Sequence, residues 1–227
     1  MTARGKQFDG PAAPDAEMDH NSFLLALADV TRSLADPDEI LLTTLERLAR
    51  HLGIDRAGYI EGREDGRGYS VAREWRDGID SFIGEHPLDG MSEQSLRTLR
   101  QGKMLVIPDI AADPTLGRTA ETLARSGARS TLCVPLLRAG RLRGALGIAH
   151  HQPRAWSEEE CALAREVAER TFETLERARA EERLREEQAR QTFLLELSDA
   201  TRGEADPELI LALSAERLGR RLGVERV

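Results

Sequence analysis

The sequence predicts an α+β fold: one antiparallel sheet between helical layers, followed by a long signalling helix. Three observations predict it. Helical and strand patterns follow one another in the order helix-helix-strand-strand-helix-strand-helix-strand-strand-helix, and the closest strand pairs are joined by turns short enough for hairpins. Residues 157–202 then contain no Gly or Pro, a stretch well beyond ordinary helix length. Finally, residues 23–57 recur without a gap at 193–227, as in Glu46-Arg47-Leu48 and Glu216-Arg217-Leu218. An offset of 170 residues is too long for a solenoid repeat and fits one domain plus its connector.

The elements can be justified in order. Residues 1–19 mix Gly, Pro, Ala and Asp without periodicity and are expected to form a disordered tail. Phe23, Leu24, Leu27, Val30 and Leu34 recur at helical spacing. Asp36-Pro37 opens a second helix, with Asp as cap and Pro at the first turn, and Gly53 ends it. Residues 56–61 and 69–75 read as a strand pair across a Gly-rich turn. Ser92 caps a short helix over 92–101, but Ser95 stands where a capping box needs Glu or Gln. A short strand over 103–107 and a short helix over 118–125 follow. The clearest hairpin joins 129–137 to 142–150 at Ala139-Gly140. Ser157 and three following glutamates start the long helix.

Composition narrows the function classes. Forty acidic and 32 basic residues give a net charge of −8, which argues against nucleic-acid binding. The Arg residues are interleaved with Glu, as on solvated helix faces. No apolar run suits a membrane span or a secretion signal, and the two cysteines, Cys133 and Cys161, lie far apart. A cytoplasmic protein with no membrane insertion is expected. No Gly-x-Ser-x-Gly, Gly-x-x-x-x-Gly-Lys or His-Glu-x-x-His motif occurs, and no nucleophile has an evident base, so the chain reads as non-catalytic.

The stretch from Ala128 to Leu136, Ala-Arg-Ser-Thr-Leu-Cys-Val-Pro-Leu, followed by Gly140-x-Leu142-x-Gly144-x-Leu146, resembles the signature hairpin of GAF domains. Val106-x-Pro108-Asp109-Ile110-x-x-Asp113-Pro114 is similar to the loop that leads into it, and His150-x-x-Pro153-Arg154-x-Trp156-Ser157 looks like GAF modules that precede bacterial sensor histidine kinases. The resemblance covers about residues 20–175 and implies a PAS-like, six-stranded sheet with a ligand-sized cavity on one face. It further implies a sensory, small-molecule-binding module of a two-component signalling protein. The Asn-Lys-x-Asp-Glu set of cyclic-nucleotide-binding relatives has no counterpart. Phytochrome GAF domains look closer, yet Val134 follows Cys133 where plant phytochromes carry the Cys-His attachment pair, and Thr119 stands where phytochromes place a chromophore-contacting His. A non-covalently held ligand is therefore expected, with no cofactor named and no metal site.

Thr131 and Cys133 share a strand face, which by the resemblance looks into the cavity; ordinary packing is the alternative. Gly147 and Ala149, with Ala145, form a small-residue row that leaves room either for a ligand or for close packing. His150 is placed at the cavity mouth, and Trp75 is either a cavity wall or a core anchor. The domain reading is a GAF domain over 20–175, a coiled-coil-like linker over 176–192, and the truncated first helices of a second GAF domain over 193–227. Leu209, Ile210, Leu213, Leu218, Leu222 and Val224 are then expected to lack a core of their own. Ala164, Ala168, Thr171, Leu175 and Ala178 follow a 3-4 spacing that suits a homodimer seam, and Glu173/Arg177, Glu181/Arg185 and Glu186/Arg190 are spaced as helical ion pairs. The competing readings are a ligand-free structural dimerisation module, or the regulatory region of a GAF-bearing transcription factor or cyclic-dinucleotide enzyme.

Overall fold

A computed structural model describes residues 19–63, 65–202 and 207–222. Of the tail expected over 1–19, residues 1–18 lie outside these residues, as does Val224, while Asp19 is structural as a helix cap. The chain divides into two compact units, Met1–Glu176 and Arg177–Val227.

In the first unit, α1 (His20–Arg32) starts where the Asp19 carboxylate accepts the Asn21 and Ser22 amides. Helix α2 (Pro37–Leu52) is capped by Asp36 and stopped by Gly53 in the left-handed conformation. Six strands follow in one antiparallel sheet: β1 (Arg56–Gly62), β2 (Gly68–Arg76), β3 (Gly84–Pro87), β4 (Leu105–Ile107), β5 (Ser130–Arg138) and β6 (Arg141–His150). Their spatial order is β3-β2-β1-β6-β5-β4. Helix α3 (Glu93–Arg100) precedes β4 and α4 (Thr119–Arg125) precedes β5. The β5–β6 turn forms at Ala139 and Gly140, both at positive φ, which fits the twist of a tight hairpin. The sequence reading lacked β3. That edge strand is four residues long and contains Gly84 and Pro87, so it has no readable alternation.

The two faces of the sheet differ. On one, Leu132, Val134, Leu136, Leu146 and Ile148 are buried. Helix α2 packs on this side against β1 and β2, and α1 joins it through the stacked rings of Phe23 and His51 at 4.3 Å. Fully burying one such aliphatic side chain stabilises by roughly 1.5–3 kcal/mol. Helices α3 and α4 lie on the other side, over the cavity described below.

Helix α5 (Glu158–Thr201) is 44 residues long. Its start is a complete capping box: Ser157 Oγ accepts the Glu160 amide at 3.1 Å, and the Glu160 carboxylate accepts the Ser157 amide at 2.8 Å. Its first turns belong to the core of the first unit, with Leu163, Ala164, Val167, Ala168 and Leu175 all buried. This corrects the expected dimer seam: Ala164, Ala168 and Leu175 are already covered within one chain, because the seam spacing coincides with the stripe that packs on the module. Further along, residues 180–192 are exposed on every side of the helix. Glu181 pairs with Arg185 at 3.6 Å, while Arg190 turns to Glu187 at 3.9 Å rather than to Glu186. In the second unit, α6 (Pro207–Leu222) has the bounds of α2 displaced by the 170-residue repeat offset. Leu209 and Leu218 on it are exposed.

Candidate functional site

A cavity of about 240 Å³ opens beneath the face of the sheet opposite α2. Strand register explains why it forms there. Thr131 and Cys133 on β5 stand opposite Ala149 and Gly147 on β6, which stand opposite Arg56 and Gly58 on β1. These positions alternate with the large aliphatics on the helix-covered face. Small side chains at the middle of the sheet thus leave a hollow, roofed by Phe82, Leu88 and Met91 before α3, by Leu99 on α3, and by Leu116 and Leu123 around α4.

Part of the small-residue row serves packing. A Cβ on Gly147 would meet Ile60 Cδ1 at 3.0 Å, so this glycine makes room for the Ile60 side chain. Gly144 has a stricter role, since a Cβ there would lie 2.4 Å from the Ile60 carbonyl oxygen. Ile60 itself lines the cavity, beside Tyr69 and Val71 of β2.

The cavity is mostly apolar, with Arg56 and Glu74 at one end and Arg63 and Arg100 also in its lining. Arg56 is buried; its Nη1 donates to the Asp80 carbonyl at 3.0 Å, and its guanidinium lies 5.0 Å from the Phe82 ring centroid. Burial lowers the Arg56 pKa, partly offset by the negative charge of Glu74. The Glu74 side chain is only 2% exposed; its carboxylate accepts the Phe82 amide at 2.9 Å and lies 3.5 Å from Arg76 Nε. Thr131 donates its hydroxyl to the Ile148 carbonyl at 2.7 Å, so the proton is already used within the sheet. Burial pushes the Tyr69 phenol up to about 12, and the Cys133 thiol likewise to about 12. Cys133 is enclosed by protein, and the surface it retains is cavity wall. A thiol in that setting stays neutral and is a poor nucleophile.

Four residues singled out from sequence, Thr131, Cys133, Gly147 and Ala149, line this cavity. Two do not. Trp75 pairs with Ala57, two residues from Arg73, and Arg73 forms an ion pair with Asp38 of α2. Trp75 therefore points to the helix-covered face, half-buried. His150 follows Ala149 on β6, so alternation turns it away from the cavity; its Nδ1 lies 2.6 Å from Asp55 Oδ2, at the end of the strand. Sequence reasoning missed Arg56, Glu74 and Tyr69. Their strands were read correctly, but only the β1–β6 and β1–β2 registers put them on the cavity face.

The family profile of the GAF domain matches residues 36–171. The chain belongs to the GAF domain family. Among solved structures, the GAF module and its flanking helices are similar to bacteriophytochrome RpBphP3 from R. palustris, with a TM-score of 0.69 and 18% identity over 88% of this chain and 46% of that one. The Stigmatella aurantiaca phytochrome photosensory core module gives 0.66 and 18%, over 88% and 45%. A phycocyanobilin-bound GAF domain from a cyanobacterial phytochrome gives 0.62 and 23%, over 73% and 98%. At these identities the likeness is one of fold. The chain spans less than half of the first two proteins. No curated protein matches the sequence.

The buried thiol gives a direct check on the site. At pH 8, Cys133 should hold about a thousandfold less thiolate than an ordinary cysteine, given a pKa near 12 rather than 9.0. Iodoacetamide should modify the partly exposed Cys161 first and leave Cys133 intact in the native protein, read by peptide mass spectrometry. Equal labelling of both cysteines would contradict the enclosed cavity wall.

Proposed function

We propose that the GAF module is a non-catalytic sensory domain that binds a small, largely apolar molecule between its sheet and the α3–α4 roof. The observation that carries this reading is the cavity of about 240 Å³, walled mainly by apolar side chains, with Arg56 and Glu74 at one end and Arg63 and Arg100 elsewhere in the lining. A side-chain-filled structural module would have no such space. An apolar cavity of about 150 Å³ is large enough for benzene, so this one suits a ligand of one or two rings. Drug-sized ligands occupy roughly 300 Å³ or more, so a four-ring bilin of the kind named for some structural relatives would need the roof to open. Thr131, Cys133, Gly147 and Ala149 form part of the ligand contact surface, and Arg56 orients an acceptor group. Trp75 and His150 are left out of it.

The signal passes to α5, whose first turns are part of the module core and whose later turns carry it onward. In this reading the chain is the regulatory part of a cytoplasmic two-component sensor histidine kinase. The repeat at 193–227 is the opening of a second GAF domain. Among the described residues no helix is long and apolar enough to cross a membrane. The partner of α5 is a second copy of the chain. Support for it comes from a helix that is exposed all round over 180–192, with Leu184 and Leu195 uncovered, since isolated helices in water are marginal.

Two measurements test these proposals. Calorimetric titration with indole, benzoate and 2-naphthoate should give saturable binding of at least one probe at one site per chain. Cys133→Phe, which fills the hollow, should abolish that binding without lowering the melting temperature. Absence of binding for all three, or binding unchanged in Cys133→Phe, would count against the sensor reading. Light scattering should give twice the chain mass for the wild type and the monomer mass for Leu184→Glu/Leu195→Glu. A monomeric wild type would refute the dimer.

A further inference from the structure

The ends of the two central strands, β1 and β6, hold a second constellation, separate from the cavity. Asp55 precedes β1, while His150 ends β6 and His151 follows it. The β1–β6 pairing brings them together, with the Asp55 amide donating to the Ala149 carbonyl at 3.2 Å. One carboxylate oxygen, Asp55 Oδ2, is the focus. It accepts the His151 backbone amide at 2.7 Å and lies 2.8 Å from His151 Nδ1. His150 Nδ1 lies 2.6 Å from the same oxygen. That nitrogen is buried, and its alignment with the oxygen makes no hydrogen bond. Two imidazole nitrogens and a carboxylate oxygen thus lie within 4.8 Å of one another.

We propose that Asp55, His150 and His151 form a binding site for a divalent transition-metal ion of the zinc class. Two imidazoles and one carboxylate, with a further position left for water, are a ligand set that zinc accepts in tetrahedral geometry. Ligands at about 2.1 Å from zinc in that geometry are about 3.4 Å apart, so the nitrogens now 2.6 Å (His150) and 2.8 Å (His151) from Asp55 Oδ2 must each draw back by several tenths of an ångström. His151, 49% exposed, has the freedom to do so. The chemistry excludes the hard alternatives: magnesium and calcium take oxygen sets, and only one of these three ligands is oxygen.

The position gives the ion a consequence. His151 begins the connection to α5, and three residues on, Arg154 donates to the carbonyls of Leu52 at 2.8 Å and Gly53 at 3.1 Å, at the end of α2. Arg154 also pairs with Glu160 in the first turn of α5. A metal held by Asp55 and both histidines would fasten the end of β6 to the start of β1, next to the joint from which α5 leaves the module.

The test uses the full chain, free of any histidine tag and stripped with EDTA. Equilibrium dialysis against zinc chloride should show one ion per chain with a Kd of about 10 µM or tighter, and cobalt(II) should give the visible absorption of a tetrahedral site. Zinc at 100 times its Kd should raise the melting temperature by roughly 5–10 °C. His151→Ala and Asp55→Asn should each weaken zinc binding at least tenfold. His151 is half-exposed, so its variant should remain folded by circular dichroism and keeps the test valid if Asp55→Asn does not fold. A wild-type Kd weaker than 100 µM would overturn the proposal, as would a folded His151→Ala variant that binds zinc within threefold of wild type.

Discussion

The module depends on one asymmetry within its sheet. On β5 and β6 one face carries Leu132, Val134, Leu136, Leu146 and Ile148, all buried beneath helices. The alternate positions carry Thr131, Cys133, Ala145, Gly147 and Ala149. Because side chains alternate strictly along a strand, these two sets cannot trade places without a register slip that would expose the whole aliphatic set. Helix α2 packs against the strands of this sheet. The small face cannot fill the space beneath α3 and α4, and the cavity is what remains. Core and candidate site are two sides of one constraint.

That arrangement also bears on the proposed coupling between the cavity and α5. Leu163, Val167 and Leu175 of α5 are buried within the same compact unit as the strands that carry the cavity wall. Interiors are packed densely enough that a change on one face of a strand is felt on the other. Arg154 ties the end of α2 to the start of α5, and the Ser157–Glu160 capping box fixes where the helix begins. The joint is therefore built from directional bonds, whereas the turns beyond Glu176 rely on ion pairs along an exposed helix.

Much of this was legible in the sequence, and the misses have physical causes. Caps and stops gave α2 and the start of α5 because those signals are local. The β5–β6 hairpin was readable from its turn and its alternation. Alternation, however, says which residues share a face and not which face is covered. Trp75 was therefore open between cavity and core until the Arg73–Asp38 ion pair placed it on the α2 side. Ala168 and Leu175 have the spacing of a dimer seam and of a core stripe alike, and only tertiary packing separates the two. Asp55 lies 96 residues from His151. The two histidines could not be seen to have a carboxylate beside them until β1 was paired with β6, a neighbour that is not consecutive in sequence.

Xenon is the most direct probe of the hollow, because xenon enters apolar cavities that exclude water. Crystals of the protein pressurised with xenon should show an ordered atom between Cys133 and the side chains of Val71 and Phe82, and none in Cys133→Phe. A crystal structure with no xenon at that position, and with the Ile60, Tyr69 and Met91 side chains closed over the β5–β6 hollow, would contradict the account.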